Sequence, residues 1–290
     1  MPLWQAVLLG VIQGLTEFLP ISSTAHLLVV QELLGRSRQE LKDDPFTVVI
    51  QLGTLVAVYW YFRGDVARLV RGFIRDIAER RLFTSATPEG RTAKQILVGT
   101  LPVVVVGLFF HRWFKETFYD PQSIAWAAIT FSLMMAISEW RSARRQTFRG
   151  HDEITYLDAF VIGCFQALAL MPGGSRSGTT ITAGLFVGLA RPTAARFSFL
   201  LSLPSVLAAG MKELYDWLKA ARAEPAMQER MTDQAIAMLV GGVVSAIVGY
   251  LAIAWLLRYL REHSMLVFIL YRIALAIAIL SMIAIGWLRA

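Results

Sequence analysis

Cysteine is almost missing from this chain. Cys164 is the only one, so no internal disulfide can form, and one cysteine with four histidines cannot build a zinc site. Charge is scarce as well: Asp, Glu, Lys and Arg make up 17% of the 290 residues, against about 25% in an ordinary soluble domain. That deficit excludes a soluble enzyme, a disulfide-stapled secreted domain and an extended disordered chain. Short alternating strands are lacking too, which argues against a transmembrane barrel. The opening MPLWQAVLLG has no basic leader of the kind that precedes a cleaved signal, so residue 1 is read as part of the mature fold.

Apolar residues are what the chain has instead, at 56% with a mean hydropathy of +0.54. Residues 45–62, 121–138 and 234–257 contain no charge and reach the length that crosses a bilayer. The expected class is an all-α polytopic membrane protein. Breakers and charges divide it into apolar segments at 2–18, 22–35, 45–62, 94–110, 121–140, 156–171, 176–190, 193–212, 233–257 and 264–288. Six of them are long enough, or nearly so, to span. The other four form two short pairs, 2–18 with 22–35 and 156–171 with 176–190. Their joints are FLPISST (18–24) and MPGGSRSGTT (171–180). Joints that short, carrying Glu17 or Arg176, suit two half-helices meeting inside protein, because irregular backbone at membrane depth survives only where it lines a cavity.

The order hairpin, three spans, hairpin, three spans suggests a repeat, 1–145 and 146–290, within one integral membrane domain covering 1–290. GVIQGL (10–15) resembles GCFQAL (163–168), and Ser23 is matched with Ser175. Three spans per half is an odd number, so the second half is expected to be inverted, with a site at the repeat interface. With the N-terminus outside, 16 Lys and Arg fall in inside loops and 10 outside, among them Arg38, Lys42 and Arg289, so both termini are placed outside. The net charge of +7 is thereby explained by Arg clusters between spans, including 63–81, and not by nucleic acid. Trp113, Trp217 and Trp287 are expected in the interfacial belt, and His111, His151 and His263 in loops.

Chemistry concentrates in the two joints. Gln13 and Glu17 are four apart and share a helix face. Pro20 ends that helix, Ser22, Ser23 and Thr24 offer caps to the next, and His26 falls in its first turn. Ionisable groups at membrane depth are costly and by default functional. In the second joint Gly173 and Gly174 free the backbone, Ser175, Ser177, Thr179 and Thr180 supply hydroxyls, and Arg176 offers a planar fork to phosphate. All of this lies at a helix start, where free N–H groups attract an anion. Arg272, alone in the last apolar segment, has two readings: support for the site, or a polar seam between helices.

The two motifs resemble those of the bacterial undecaprenyl-diphosphate phosphatases, also called bacitracin-resistance proteins, and the resemblance covers essentially the whole chain. Gln13, Glu17, Phe18 to Pro20, Ser22, Ser23, Thr24 and His26 match the first family motif; Pro172, Gly173, Ser175, Arg176, Ser177 and Thr180 match the second. Many members have Glu where this chain has Gln13, which removes one negative charge. The resemblance implies removal of the terminal phosphate of a C55 polyprenyl diphosphate, which recycles the carrier lipid for cell-wall synthesis. It also implies a divalent cation and a site reached from the outer leaflet of the bacterial inner membrane.

Phosphoryl transfer from a lipid diphosphate needs charge neutralisation and a placed nucleophile. Arg176, Ser175, Ser177 and Thr180 are expected to bind phosphate; Glu17, with Gln13, to hold Mg²⁺ or Ca²⁺ through oxygen. Ser23 or His26 attacks phosphorus, the favoured arrangement being Ser23 with His26 as its base. A secondary transporter or lipid-phosphate flippase is the rival reading, and a membrane scaffold the third.

Overall fold

A computed structural model describes residues 1–36, 45–81, 84–223 and 225–288. Of the bases counted for orientation, Arg38, Lys42 and Arg289 lie outside the described residues. Those residues form eleven α-helices and one 3₁₀ turn at His151–Glu153, with no strand. The helices are α1 (Leu3–Phe18), α2 (Ser23–Leu33), α3 (Pro45–Tyr61), α4 (Arg63–Ala78), α5 (Pro88–Phe118), α6 (Pro121–Ala143), α7 (Tyr156–Leu168), α8 (Arg176–Phe186), α9 (Arg191–Ala223), α10 (Pro225–Glu262) and α11 (Leu266–Ala284). Each apolar segment of the sequence became one helix. Five pieces, within α5, α6, α9, α10 and α11, are long and apolar enough to cross a membrane. The protein is a polytopic membrane protein.

Expectation and structure differ in several places. The 45–62 segment yields α3, whose 17 residues rise about 25 Å and sit at the short limit for a span. The Arg-rich stretch 63–81 is no loop. It holds α4, with Asp65 in the first turn and Arg75 in the last, each placed favourably for the helix dipole. The stretch between the apolar segments 193–212 and 233–257 is largely helix, since α9 runs to Ala223 and α10 begins at Pro225. His111 lies in α5, not in a loop. Trp217 is buried against protein, and its indole N–H donates to Gln234 at 3.3 Å. Trp113 and Trp287 are exposed.

Helix starts follow local chemistry. Thr87 caps α5 by accepting from the Gly90 N–H, with Pro88 at the first helical position; Asp120 does the same for α6 ahead of Pro121. Long helices then pack through small residues, as lipid provides no hydrophobic drive between them. A Cβ on Gly53 of α3 would stand 2.1 Å from the Gly242 carbonyl of α10, and one on Gly163 of α7 would stand 2.1 Å from that of Gly99 on α5. Polarity is inverted relative to a soluble protein. Leu108, Phe109, Leu157 and Leu239 are among the most exposed side chains, while Gln13, Glu17, Gln31, Thr180 and Arg272 are buried. The largest apolar cluster gathers Phe18, Phe62, Phe197, Phe199 and Leu256, and the Phe18–Phe199 edge contact at 5.5 Å seats the end of α1 on α9. The two interrupted pairs, α1–α2 and α7–α8, meet inside this frame.

Candidate active site

Both helix pairs break in the same way. After α1 the chain turns through Ser22, whose φ of 75° is left-handed, and the Ser22 hydroxyl accepts from the Ala25 N–H. After α7 it turns through Ser175, φ 62°, whose hydroxyl accepts from the Gly178 N–H. Left-handed backbone at a non-glycine residue costs of order 1 kcal/mol or more and survives where surroundings enforce it. The caps also correct the expected alignment: Ser22, not Ser23, is the counterpart of Ser175. Ser23 therefore corresponds to Arg176, each the first residue of its second helix.

These two residues meet at one carboxylate. Glu17, buried at the end of α1, accepts from Gln13 Nε2 at 2.9 Å and from Ser23 Oγ at 3.0 Å on one oxygen. Its other oxygen accepts from the Arg176 guanidinium, which forms a salt bridge across the two helix pairs. Ser177 adds a second tie by donating to the Leu19 carbonyl at 3.2 Å. A narrow cleft of about 10 Å³, room for roughly one water, lies here, lined by Glu17, Phe18, Arg176, Ser177, Ser198, Phe199 and Ser202.

Other expected ligands are placed differently. Ser175 is occupied by its cap and by Ser177. Thr180 bonds the Arg176 carbonyl and Ser198 Oγ, tying α8 to α9 behind the cleft. His26 does not reach Ser23. Its Nδ1 lies 2.7 Å from the Ser22 carbonyl, which can only accept, so Nδ1 carries the proton. Its Nε2 then accepts from the Tyr271 hydroxyl at 2.7 Å, with the two rings parallel. Thus Glu17, Ser23, Arg176 and Ser177 come together, while His26 is anchored to its own turn and to α11. Ser198, Ser202 and Tyr271 were not singled out from sequence. The pair at i and i+4 in the apolar run RFSFLLS was the available signal for the two serines.

The residues also bear on a cation. Gln13 Oε1 is buried with no hydrogen-bond donor, beside the Glu17 carboxylate. No group of three His, Cys, Asp or Glu suited to a metal occurs among the described residues. With the Gln13 amide turned so that Oε1 faces Glu17, the two would present an oxygen pair that fits a hard divalent ion completing its shell with water and phosphate oxygens.

Residues 6–278 match the family described as bacitracin resistance protein BacA. The chain belongs to that family. It is similar to the undecaprenyl-diphosphatase of Chlorobaculum parvum, 46% identical over 99% of both chains. It is also similar to that of Chloroherpeton thalassium, 43% identical over the full length of both. The Myxococcus xanthus protein of the same name is 44% identical over 99% of this chain and 91% of its own. Family membership therefore extends from α1 into α11 and takes in both helix breaks.

Proposed function

We infer that this membrane protein is a phosphatase that hydrolyses undecaprenyl diphosphate to the monophosphate and phosphate, the activity named for its relatives. The observation that carries the reading is the Glu17 carboxylate, which joins a hydroxyl nucleophile and a guanidinium across two helix breaks. The substrate's headgroup enters the cleft and its tail lies along the apolar flank. Arg176 exchanges Glu17 for the terminal phosphate, helped by Ser177 and the free N–H groups at the start of α8. Ser23 Oγ attacks the terminal phosphorus and passes its proton to Glu17, the acceptor it already bonds. The bond from that phosphorus to the bridging oxygen breaks, and undecaprenyl phosphate leaves. Water then attacks the phosphoserine phosphorus, Glu17 returns its proton to the Ser23 oxygen as that bond breaks, and phosphate leaves. His26 holds the first turn of α2 in place. Gln13 and Glu17 would hold Mg²⁺ or Ca²⁺, which when bound supplies neutralisation of the diphosphate charge.

The proposed architecture is an inverted repeat of 1–145 and 146–290, each a re-entrant helix pair followed by three spans. Supporting this, contacts exchange between halves: α1 packs on α10 as α7 packs on α5, and α3 on α10 as α9 on α5. The proposed setting is the bacterial inner membrane, with both termini outside and the site open to the outer leaflet. There the enzyme recycles the carrier lipid of cell-wall synthesis and confers bacitracin resistance. Purified protein with polyprenyl diphosphate is the test. Phosphate release is expected, and transport or binding without release overturns the reading.

A further inference from the structure

One fully buried charge has no part in the chemistry above. Arg272, midway along α11, is fully buried, and among the described residues no carboxylate pairs with it. Its partners are one hydroxyl and a set of backbone carbonyls. Nε donates to Ser132 Oγ at 2.9 Å. Nη2 donates to the Gly173 carbonyl at 3.1 Å and lies 3.4 Å from that of Gly174 and 3.5 Å from that of Ala128. Nη1 lies 3.5 Å from the Pro20 carbonyl.

Pro20 belongs to the break after α1, and Gly173 and Gly174 to the break after α7. Carbonyls at such breaks have lost their helical donors and have no water to turn to at membrane depth. One planar guanidinium serves both breaks at once, while Ser132 and Ala128 of α6 steady it from behind. Its neighbour Tyr271 holds His26 Nε2, so α11 grips the site at three points. A lone cation buried in this way is costly and is not needed for packing.

We propose that Arg272 is the positioning residue that keeps the two helix breaks in register, fixing Arg176 relative to Ser23 and Glu17. The proposal rests on the phosphatase reading for its catalytic consequence, though not for its structural one. A displacement of about 1 Å between reacting groups costs roughly a hundredfold in rate. Lysine brings charge but a single nitrogen, which cannot span both breaks.

The test uses full-length Arg272→Lys and Arg272→Met in nanodiscs, with Ser132→Ala as a milder variant that only frees the guanidinium. Both Arg272 variants are expected to lose about a hundredfold in kcat with KM for the lipid diphosphate little changed, because tail binding is uniform. Ser132→Ala should lose several-fold. Thermal unfolding of Arg272→Met should stay close to wild type, since removing a lone buried charge offsets the lost hydrogen bonds. Without substrate, hydrogen exchange should rise at residues 19–24 and 171–176 together, and not along the spans. Wild-type turnover in Arg272→Lys, unchanged exchange at the breaks, or activity lost only in step with global unfolding overturns the proposal. If the wild-type protein releases no phosphate, the phosphatase reading falls, while coupled exchange at both breaks still supports the clamp.

Discussion

Ser23 and Arg176 occupy the same position in their respective helix pairs and donate to opposite oxygens of the one Glu17 carboxylate. In the proposed mechanism this registers nucleophile and phosphate clamp against each other through a shared acceptor before substrate arrives. Substrate binding would trade one ion pair for another. That exchange would leave Glu17 freer to take the Ser23 proton at the moment the phosphate is clamped.

Arg176 is the sharpest point of test. Losing a contact that strengthens in the transition state costs about 3–4 kcal/mol, or roughly a thousandfold. Arg176→Ala is expected to insert normally and lose nearly all phosphate release, and Arg176→Lys to recover a small part. Near-wild-type turnover by Arg176→Lys would remove the clamp and favour the transporter reading.

Ser23 should carry the phosphoryl group. Acid quench of the reaction with diphosphate labelled at its terminal phosphate should trap label on wild-type protein and none on Ser23→Ala. Ser22→Ala, which removes only a cap, should lose about 1 kcal/mol of stability and keep its label. Label that survives in Ser23→Ala and vanishes in His26→Ala would transfer the nucleophile to His26.

Chelation tests the oxygen pair. EDTA should abolish hydrolysis and added Mg²⁺ or Ca²⁺ restore it, with Gln13→Ala raising the concentration required. Full activity in chelator excludes the cation from the reaction.

Orientation is open to labelling. In a Cys164→Ser background, cysteines at positions 75 and 225 should react from opposite faces, position 225 with an impermeant reagent outside intact cells. Reaction of both from one face overturns the assigned topology.

Acid should loosen the helix α4 region. The Ala86 N–H, 2.8 Å away, and then the Lys94 ammonium hold the Asp76 carboxyl below its ordinary value. A depressed pKa in the fold contributes stability above the unfolded value near about 4, and that stability is lost as pH falls through the folded value. Asp76→Asn should lower the unfolding temperature at neutral pH and flatten its fall below about pH 4. An acid profile matching wild type would show that Asp76 does not set it.

The helix breaks were legible because Pro20, Gly173 and Gly174 weaken a helix between short apolar segments and Ser22 and Ser175 can start one. The pairing of Gln13 with Glu17 followed from a spacing of four. Other features depend on which faces meet. Nothing in the local pattern directs His26 toward Tyr271, 245 residues away, or tells that α9 would bring Ser198 and Ser202 beside Arg176. The one-residue slip between Ser23 and Ser175 arose because both joints are rich in serine, and backbone angles alone single out the caps. Helix α4 was hidden by its arginines, which signal topology and helix alike.

The seating of α1 on α10 sets a timetable for biosynthesis. Helix α7 emerges after its partner α5 and can dock at once. Helix α1 is made first, yet α10 begins only at Pro225, which at about 5–20 residues per second is roughly ten to forty seconds later. Through that interval α1 lacks the helix that covers Gly10 and Gly14, so a nascent chain halted before α10 should leave its first helix pair more open to proteases than the finished protein does.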